Sequence, residues 1–388
     1  MAAVTKPVLL FVVTEDWYFL SHRIALAQAA NAAGYDVHLA TRVGDHAETL
    51  AKAGITVHPL KWQRRSKNPF GEARALAQLI GLCRRLRPAI VHYVAMKMIV
   101  YGALVQALAP TAFVVNAVSG LGSVYSTTTW RTRLLRLAAN TVLGLLLRRQ
   151  NGRVIVQNSD DGDFFAEQGF AARDRIVLIP GAGIDIERFR PTAEPTSTPV
   201  VASVVARMLW DKGIAETIEA ARILKERQVP VALRMVGAPD PENPNSVSEK
   251  DLKSWVDADL VDWTGHRSDI DEVWRESHIA VLASYREGLP RSLLEAAASG
   301  RPLVTTDTSG CRMLVEDDAN GLVVPVGDAI ALADAIARLV ADPDLRARLG
   351  GEARQRVVDR FADEPINAAF LSLYRDALDN PAGAKGNP

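Results

Sequence analysis

The sequence predicts an α/β protein built from two domains, each with a parallel sheet. Short runs of β-branched and aliphatic residues alternate with longer helical patterns along most of the 388 residues, which is typical of βαβ units with helices on both sheet faces. The alternation occurs twice, with a proline-containing segment between the two occurrences. A chain of this length also exceeds what one hydrophobic core usually supports. We therefore expect two facing Rossmann-like domains, with a ligand cleft between the carboxyl ends of their strands.

The first domain is predicted over residues 1–190. Gly34 and Gly54 follow helical patterns and indicate where two helices end. Its predicted strands are Val8–Val13, Asp36–Ala40, Ile55–Pro59, Ile90–His92 and Ala112–Val115.

The second domain is predicted over residues 200–362. Residues 191–199 contain Pro191, Pro195 and Pro199, which favours an extended linker between the domains. A helix over 363–379 is expected to pack back toward the first domain, and the composition of residues 380–388 predicts a disordered tail. The predicted strands are Val200–Val205, Ala232–Val236, Leu260–Trp263, Ile279–Leu282, Leu303–Thr305 and Leu322–Val324.

The formal net charge of +0 conceals a strong asymmetry along the chain. Residues 1–190 hold 23 basic and 13 acidic side chains, whereas the remainder holds 22 basic and 32 acidic ones. A basic half indicates an anionic partner such as a phosphate or a membrane surface. The alternative is that the two unlike halves simply attract each other.

Cysteine usage and hydropathy favour a cytoplasmic protein. Cys83 and Cys311 are isolated, which is typical of a reducing compartment. The first apolar run is broken at Thr14 and indicates a buried strand rather than a signal peptide. No apolar run reaches the roughly 20 residues that a spanning helix needs. We expect no nucleic-acid partner.

Two glutamates mark a candidate ligand site in the second half. Glu287 falls in the loop after the predicted strand Ile279–Leu282, and Glu295 lies in the predicted helix that follows. A helix start favours an anion, and a carboxylate accepts hydrogen bonds from vicinal hydroxyls. Glu295 therefore suits a ribose and Glu287 a second sugar, although both could be ordinary surface acids. The accompanying candidates at the helix start are Gly288, Leu289, Pro290 and Arg291.

Arg207 and Lys212 supply two cations in the turn after Val200–Val205. A guanidinium and an ammonium at the carboxyl end of a strand suit a diphosphate that no metal neutralises. Either residue alone could be an ordinary exposed cation.

Further glycine turns could line a nucleobase pocket or could simply be tight turns. They contribute Gly237 in VGAPD, His266 and Arg267 in TGHRSDI, and Gly181 in PGAGID.

The combination of ARMLWDKG, GHRSDI, YREGLPRSLLEAAASGRPLV and DDANGLVVPVGD resembles the retaining family-four glycosyltransferases of GT-B fold. It is especially similar to bacterial transferases that act on undecaprenyl-diphosphate-linked glycans. The resemblance spans essentially the whole chain. It is most specific in the second half and less so in SGLGSVY and His22-Arg23 of the first half.

The resemblance implies a role for each matching residue. Glu287 would contact the transferred sugar, Glu295 would hold the nucleotide ribose, and Arg207 and Lys212 would bind the diphosphate. The donor would be a nucleotide diphosphate sugar, most often UDP-linked, with no metal and no other cofactor. The expected reaction is retaining transfer of a hexose or N-acetylhexosamine to a saccharide on a lipid diphosphate, in surface glycan synthesis.

The sequence departs from the family pattern in two places. The first strand-to-helix loop, TEDWYF, lacks glycine, and Ser119 stands where many relatives carry a histidine. Trp17 and Tyr18 suggest stacking on an acceptor sugar, although burial of either ring is an equal alternative. The acceptor-side candidates are His22, Arg23, Lys97, Gly120 and Gly122.

A metal site is the competing idea for a sugar transferase. Three Asp-x-Asp pairs occur, at Asp257 and Asp259, at Asp269 and Asp271, and at Asp342 and Asp344. None follows a predicted strand in a context suited to a hard cation, so we expect no metal site.

Residues 131–149 place five arginines around an apolar stretch. This pattern is typical of a helix at an anionic membrane surface, and equally of an amphipathic helix that packs on the core. With the basic first half, it leads us to expect a peripheral protein on the inner face of the cytoplasmic membrane.

Other activities remain as alternatives: transfer to a soluble small-molecule acceptor, a nucleotide-sugar epimerase, a phosphorylase or a non-catalytic binding protein. An epimerase would lack the combination of the cationic turn and the paired glutamates, and we find no cofactor-lysine signature of a phosphorylase.

Overall fold

The computed structural model describes residues 6–62, 69–119, 140–141 and 143–379. The chain divides into two compact units. The first comprises the residues up to Gly183 and those from Asp363 onward, and the second runs from Ile184 to Ala362.

The first unit contains a seven-stranded parallel sheet in the order β3-β2-β1-β4-β5-β6-β7. Its strands are β1 (Val8–Glu15), β2 (Asp36–Arg42), β3 (Thr56–Pro59), β4 (Ile90–Val94), β5 (Phe113–Ala117), β6 (Gly152–Val156) and β7 (Ile176–Leu178). Its helices are α1 (Asp16–His22), α2 (Ile24–Ala32), α3 (Ala47–Lys52), α4 (Pro69–Leu86), α5 (Met96–Leu108), the helical residues 143–148 (α6), and α7 (Ser159–Glu167).

Helices cover both faces of this sheet because its central strands are apolar on both sides. In β1, Leu10 and Val12 belong to one buried core, whereas Leu9, Phe11 and Val13 belong to the other. This alternation follows from the two-residue period of a strand. β6 and β7 have no counterpart among the predicted strands. β6 begins with Gly152 and Arg153, which leaves it only three apolar residues, and β7 is itself only three residues long.

The last helix, α15 (Asp363–Asp379), is part of the first unit. It buries Ile366, Phe370 and Tyr374 in the same core as Phe11. The Tyr374 hydroxyl lies 2.6 Å from Nδ1 of the buried His92 on β4. Burial lowers the pKa of His92 well below its usual value, so this imidazole is a neutral packing element.

The second unit contains a six-stranded parallel sheet in the order β10-β9-β8-β11-β12-β13. Its strands are β8 (Val200–Val205), β9 (Val231–Val236), β10 (Asp262–Gly265), β11 (Ile279–Leu282), β12 (Leu303–Thr306) and β13 (Leu322–Val324). Its helices are α8 (Ile214–Glu226), α9 (Glu249–Asp257), α10 (Ile270–Arg275), α11 (Arg291–Ala298), α12 (Ser309–Leu314), α13 (Ala329–Ala341) and α14 (Pro343–Arg360).

The boundary between the units differs from the predicted one. It lies between Gly183 and Ile184 rather than after residue 190, because Ile184 and Phe189 are buried in the core of the second unit.

Residues 191–199 are also not an interdomain linker. Arg301 donates to the Thr192 hydroxyl at 2.7 Å, Arg346 pairs with Glu194 at 2.5 Å, and His278 Nε2 lies 3.0 Å from the Pro195 carbonyl oxygen. The prolines therefore mark a segment that runs over the second unit and is attached to it. The predicted tail, residues 380–388, lies outside the described residues.

Candidate active site

The strand order of the second sheet creates a site at its carboxyl edge. The chain continues from β8 to β9 on one side and later returns to β11 on the other. In open parallel sheets such a reversal opens a crevice beyond the strand ends, where ligands bind. The turn after β8 carries Arg207 and Lys212, and the loop after β11 carries Glu287. Residues 75 apart in sequence therefore meet at one point.

Lys212 and Glu287 form a direct ion pair in this crevice. Lys212 Nζ lies 2.6 Å from Glu287 Oε1, and the Lys212 and Glu287 side chains are 21% and 10% exposed. The buried Ser284 hydroxyl donates to the same carboxylate oxygen at 2.6 Å. A half-buried pair held by a third group has a fixed geometry, which is the arrangement expected of a preorganised site.

Gly213 allows the two loops to approach each other. Its φ is +71°, and a Cβ at this position would lie only 2.0 Å from the Ala283 carbonyl oxygen. The Tyr285 amide donates to the Asp211 carbonyl at 3.0 Å across the same junction. Only glycine fits both the left-handed backbone and the close contact.

Arg207 is paired with a residue that sequence inspection did not single out. Its NH1 group lies 2.7 Å from Asp240 Oδ2, in the loop after β9. That loop is bonded to the Arg207 turn, because Met208 N donates to Ala238 O at 3.0 Å and Val247 N donates to Met208 O at 2.9 Å. The only sequence signal for Asp240 is its place in the VGAPD turn.

The loop from Glu287 to Arg291 lies against the start of α12. A Cβ on Gly310 would lie 2.5 Å from the Gly288 carbonyl oxygen and 2.6 Å from that of Glu287. Pro290 then precedes α11, which has no side-chain cap on its first amides. Unsatisfied amides at a helix start suit an anion. Leu289 is partly buried against the core beneath this loop.

Glu295 is buried on the second turn of α11. Arg291 Nε donates to its Oε1 at 2.9 Å, one helical turn earlier. Burial raises the pKa of Glu295 above its usual value, and Arg291 opposes this shift. Burial of an ionised carboxylate costs free energy, so a carboxylate that the fold keeps buried is a candidate for a ligand contact.

The remaining predicted donor-side residues divide between the two units. Gly237 N donates to the Gly265 carbonyl at 2.7 Å, so the turns after β9 and β10 meet, and His266 next to them is exposed. Arg267 is instead held in ion pairs with Asp269 at 2.6 Å and Glu276 at 3.0 Å, which favours a structural role. Gly181 belongs to the first unit, not the second.

Of the predicted acceptor-side residues, His22, Arg23 and Lys97 are described. His22 stacks on Tyr18 with ring centroids 4.1 Å apart. Arg23 is buried, donates to the Gly181 carbonyl at 3.2 Å and lies over the Phe370 ring, so its contacts are structural. Lys97, just after β4, pairs with Glu72 at 2.9 Å. Gly120 and Gly122 lie outside the described residues.

The Asp-x-Asp pairs have protein partners. Asp269 pairs with Arg267, Asp271 with Arg188 at 2.9 Å, and Asp259 with Lys225 at 3.1 Å. The Asp342 side chain caps the first turn of α14. Within the described residues, no group of three or more His, Cys, Asp or Glu side chains is arranged to hold a metal ion.

Two family profiles match the chain, one on each half. "Glycosyl transferase 4-like" covers residues 8–157, and "Glycosyl transferases group 1" covers residues 185–356. The fold is that of sucrose-phosphate synthase from Thermosynechococcus elongatus, with a TM-score of 0.79 and 22% identity over 96% of this chain and all of that one. HepE of Anabaena in complex with UDP and glucose superposes with a TM-score of 0.76 and 19% identity, over 94% and 98% of the two chains.

Two curated relatives match over nearly their full length. The N,N'-diacetylbacillosaminyl-diphospho-undecaprenol alpha-1,3-N-acetylgalactosaminyltransferase of Campylobacter jejuni is 28% identical over 93% of this chain and 99% of its own. The chain belongs to the family-four glycosyltransferases of GT-B fold. This glycosyltransferase also matches the capsular polysaccharide biosynthesis glycosyltransferase CapM of Staphylococcus aureus, at 24% identity over 90% and 92% of the two chains.

In this glycosyltransferase, four site residues were predicted most strongly from the sequence. All four lie beyond strand ends in the second unit. Arg207 and Lys212 follow β8, and Glu287 and Glu295 follow β11. The fold brings Lys212 and Glu287 into contact, but it pairs Arg207 with Asp240 and Glu295 with Arg291.

Proposed function

We propose that the chain is a retaining, metal-independent glycosyltransferase that moves a hexose or N-acetylhexosamine from a UDP-sugar to a saccharide on a lipid diphosphate. The observation that carries this proposal is the Lys212–Glu287 ion pair at the crevice between β8 and β11. Together with Arg207, it supplies cations for a diphosphate and a carboxylate for a sugar within one preorganised site.

The cations of the crevice can take over the charge of the diphosphate. Each is paired with a carboxylate in the structure, Arg207 with Asp240 and Lys212 with Glu287. A guanidinium has five N–H donors and an ammonium three. Both can therefore keep their carboxylate and still donate to phosphate oxygens, so charge-assisted hydrogen bonds can stabilise the leaving group without a bridging metal.

In the transfer step, the bond between the anomeric carbon and the diphosphate oxygen breaks, and its electron pair leaves with UDP. The acceptor hydroxyl oxygen forms the new bond on the same face of the sugar, and its proton passes to the departing phosphate. Lys212, Arg207 and the first amides of α11 stabilise the charge that develops on the diphosphate. Glu287 holds Lys212 in place and accepts a hydrogen bond from a hydroxyl of the transferred sugar.

Glu295 is suited to the nucleotide ribose. It is a buried carboxylate at the carboxyl edge of the sheet, one helical turn inside α11. Vicinal hydroxyls can donate to its two oxygens and replace the water that burial has removed. The presence of UDP in the HepE complex is consistent with a uridine nucleotide as the donor.

Replacing Glu295 with glutamine is expected to leave the unliganded protein at least as stable, while weakening UDP binding. The raised pKa means that the ionised carboxylate is less stable in the folded chain than in the unfolded one, so at neutral pH its charge lowers the free energy of unfolding. Thermal melts at pH 7.5 should therefore give an unliganded Tm equal to or above that of the wild type. The Tm increase on adding UDP should be smaller. A lower unliganded Tm with an undiminished UDP shift would contradict the ribose assignment.

The lipid-linked acceptor is supported by two relatives. The names of the Campylobacter and Staphylococcus relatives refer to an undecaprenol diphosphate and to capsular polysaccharide. The basic first half of the chain is in keeping with an acceptor that carries a diphosphate.

A peripheral position at an anionic membrane is part of the same proposal. In the described part of 131–149, Leu143 and Leu147 are buried in the core. This part therefore packs as an amphipathic helix on the core, which was the alternative to a membrane-surface helix. Residues 131–139 and 142 lie outside the described part. Val100, Leu104 and Leu108 are exposed at four-residue spacing on α5 and offer a second apolar face for lipid. None of the described helices is long and apolar enough to span a bilayer.

The test is a transfer assay with the purified full chain. UDP-glucose, UDP-galactose, UDP-N-acetylglucosamine and UDP-N-acetylgalactosamine are each offered with a saccharide on a short-chain polyprenyl diphosphate, with the same saccharide lacking the lipid, or with no acceptor. We expect UDP release with at least one donor, dependent on the lipid-linked acceptor and unchanged by EDTA. NMR of the product should show the anomeric configuration of the donor.

The controls separate the alternatives. Lys212→Ala should lower the lipid-dependent release about 100-fold or more. Equal rates with the lipid-free saccharide would favour a soluble acceptor, and UDP release with inversion at the anomeric carbon would contradict the retaining mechanism. Loss of activity with EDTA and its recovery with Mn²⁺ would contradict metal independence.

A further inference from the structure

The turn from β1 into α1 is the counterpart, in the first sheet, of the Arg207 turn in the second. The first sheet also reverses its strand order beside its first strand, since β1 lies between β2 and β4. The carboxyl end of β1 is therefore a ligand-binding position of the same kind. No loop separates the two elements, because β1 ends at Glu15 and α1 begins at Asp16.

This turn is firmly attached to its neighbours. The buried Asp16 carboxylate accepts hydrogen bonds from Trp17 N at 2.7 Å and from Gly44 N, after β2, at 2.6 Å. Trp62 Nε1 donates to the Thr14 carbonyl at 2.9 Å. These bonds fix the backbone from which the Trp17 side chain projects.

Trp17 projects from this turn toward solvent. Trp17 is 41% exposed, whereas Phe19, two residues later, is fully buried against Phe11. α1 thus uses one face for the core and presents an indole on another. An indole that packs against a neighbouring ring and keeps part of its surface in contact with solvent can bind a ligand by stacking.

The surroundings of the indole combine apolar and polar groups. Tyr18 packs edge-on against Trp17 at 5.9 Å between ring centroids, and His22 stacks on the Tyr18 ring. Ser21 lies four residues after Trp17 and therefore on the same side of the helix. The Ser21 hydroxyl donates to the Tyr18 carbonyl at 3.1 Å and lies 2.5 Å from His22 Nδ1, so the two polar side chains form one cluster beside the rings. A sugar ring has an apolar C–H face and a rim of hydroxyls, so it can stack on an indole while its rim meets this cluster.

We infer that Trp17 is the stacking platform for the acceptor saccharide, with Ser21 and His22 as partners for its hydroxyls. The inference rests on the proposed transfer to a saccharide acceptor and adds the residue that binds the acceptor sugar. It predicts an effect on acceptor recognition that is separate from the handling of the donor.

The experiment compares Trp17→Ala, Trp17→Leu and Trp17→Phe with the wild type in the transfer assay. We expect the KM for the acceptor to rise about tenfold in the alanine and leucine variants and to recover in the phenylalanine variant, because only a ring can stack. The KM for the UDP-sugar and the Tm increase caused by UDP should stay at their wild-type values. A merely structural role would instead lower the Tm and change both substrates together.

Phe70→Ala serves as the matched control, since this ring is also in the first unit and is 86% exposed. Its acceptor KM should equal that of the wild type. An unchanged acceptor KM in Trp17→Ala, with transfer intact, would overturn the inference and leave the proposed function standing. No transfer by the wild type with any donor would overturn the proposed function and this inference with it.

Discussion

Replacing Lys212 with alanine is expected to lower kcat/KM for transfer about 100-fold or more while the chain still folds. Lys212 is one of the cations that we propose stabilise the departing diphosphate, and removal of one preorganised donor of this kind costs about 3–4 kcal/mol. The change also leaves the Glu287 carboxylate, which is 10% exposed, without the ammonium that lies 2.6 Å from it. Arg207→Ala should have an effect of the same size, although Arg207 is more exposed.

Initial rates and thermal melts of both variants provide the measurement. Lys225→Ala and Arg222→Ala are matched controls, because they remove a lysine and an arginine of α8 that pair with surface acids at 3.1 and 2.8 Å. Each control should retain wild-type kcat/KM. A near-normal rate in Lys212→Ala or Arg207→Ala would remove that residue from the site.

Replacing Glu287 with glutamine is expected to lower kcat by about 100-fold with little loss of UDP affinity. Glutamine keeps the shape of the side chain, and its amide oxygen can still accept from Ser284 and Lys212, but it has no charge to attract the ammonium or to offer to the sugar. UDP binding should persist because Lys212 remains available for the phosphates. The role assigned to Glu287 lies in the transition state, so the effect should appear in kcat.

Calorimetric titration with UDP and steady-state kinetics separate these two contributions. Glu219→Gln, which removes a surface acid paired with Arg222 at 2.8 Å, should change neither quantity. A Glu287→Gln variant that loses UDP affinity in proportion to activity would show that Glu287 supports the donor pocket rather than the transfer step.

Most of the fold could be predicted because the strands of both sheets are short apolar runs between helical patterns. This signal is strong for central strands such as β1 and β8, whose residues are buried on both faces. It weakens at the sheet edges, where β7 is only partly buried. It also failed at residues 191–199, since proline content predicts an extended chain but does not reveal ion pairs such as Arg346–Glu194.

The chemistry of the candidate site was less evident than its residues. Arg207, Lys212, Glu287 and Glu295 could be proposed from residue type and predicted strand ends. The pairing of Lys212 with Glu287 joins residues 75 positions apart, and that of Arg207 with Asp240 joins residues 33 apart. Such partners are decided by strand order, which local sequence patterns do not encode. The burial of Arg23 likewise depends on α15, far along the chain.

A crystal structure of the protein in complex with UDP tests the central claim most directly. We predict the nucleotide at the carboxyl edge of the second sheet, with its diphosphate on Lys212 and Arg207 and its ribose hydroxyls on Glu295. No metal should bridge the phosphates, even in crystals grown with Mg²⁺ or Mn²⁺. A nucleotide bound away from the ends of β8 and β11, a metal between its phosphates, or a Glu295 without a ribose contact would contradict the account.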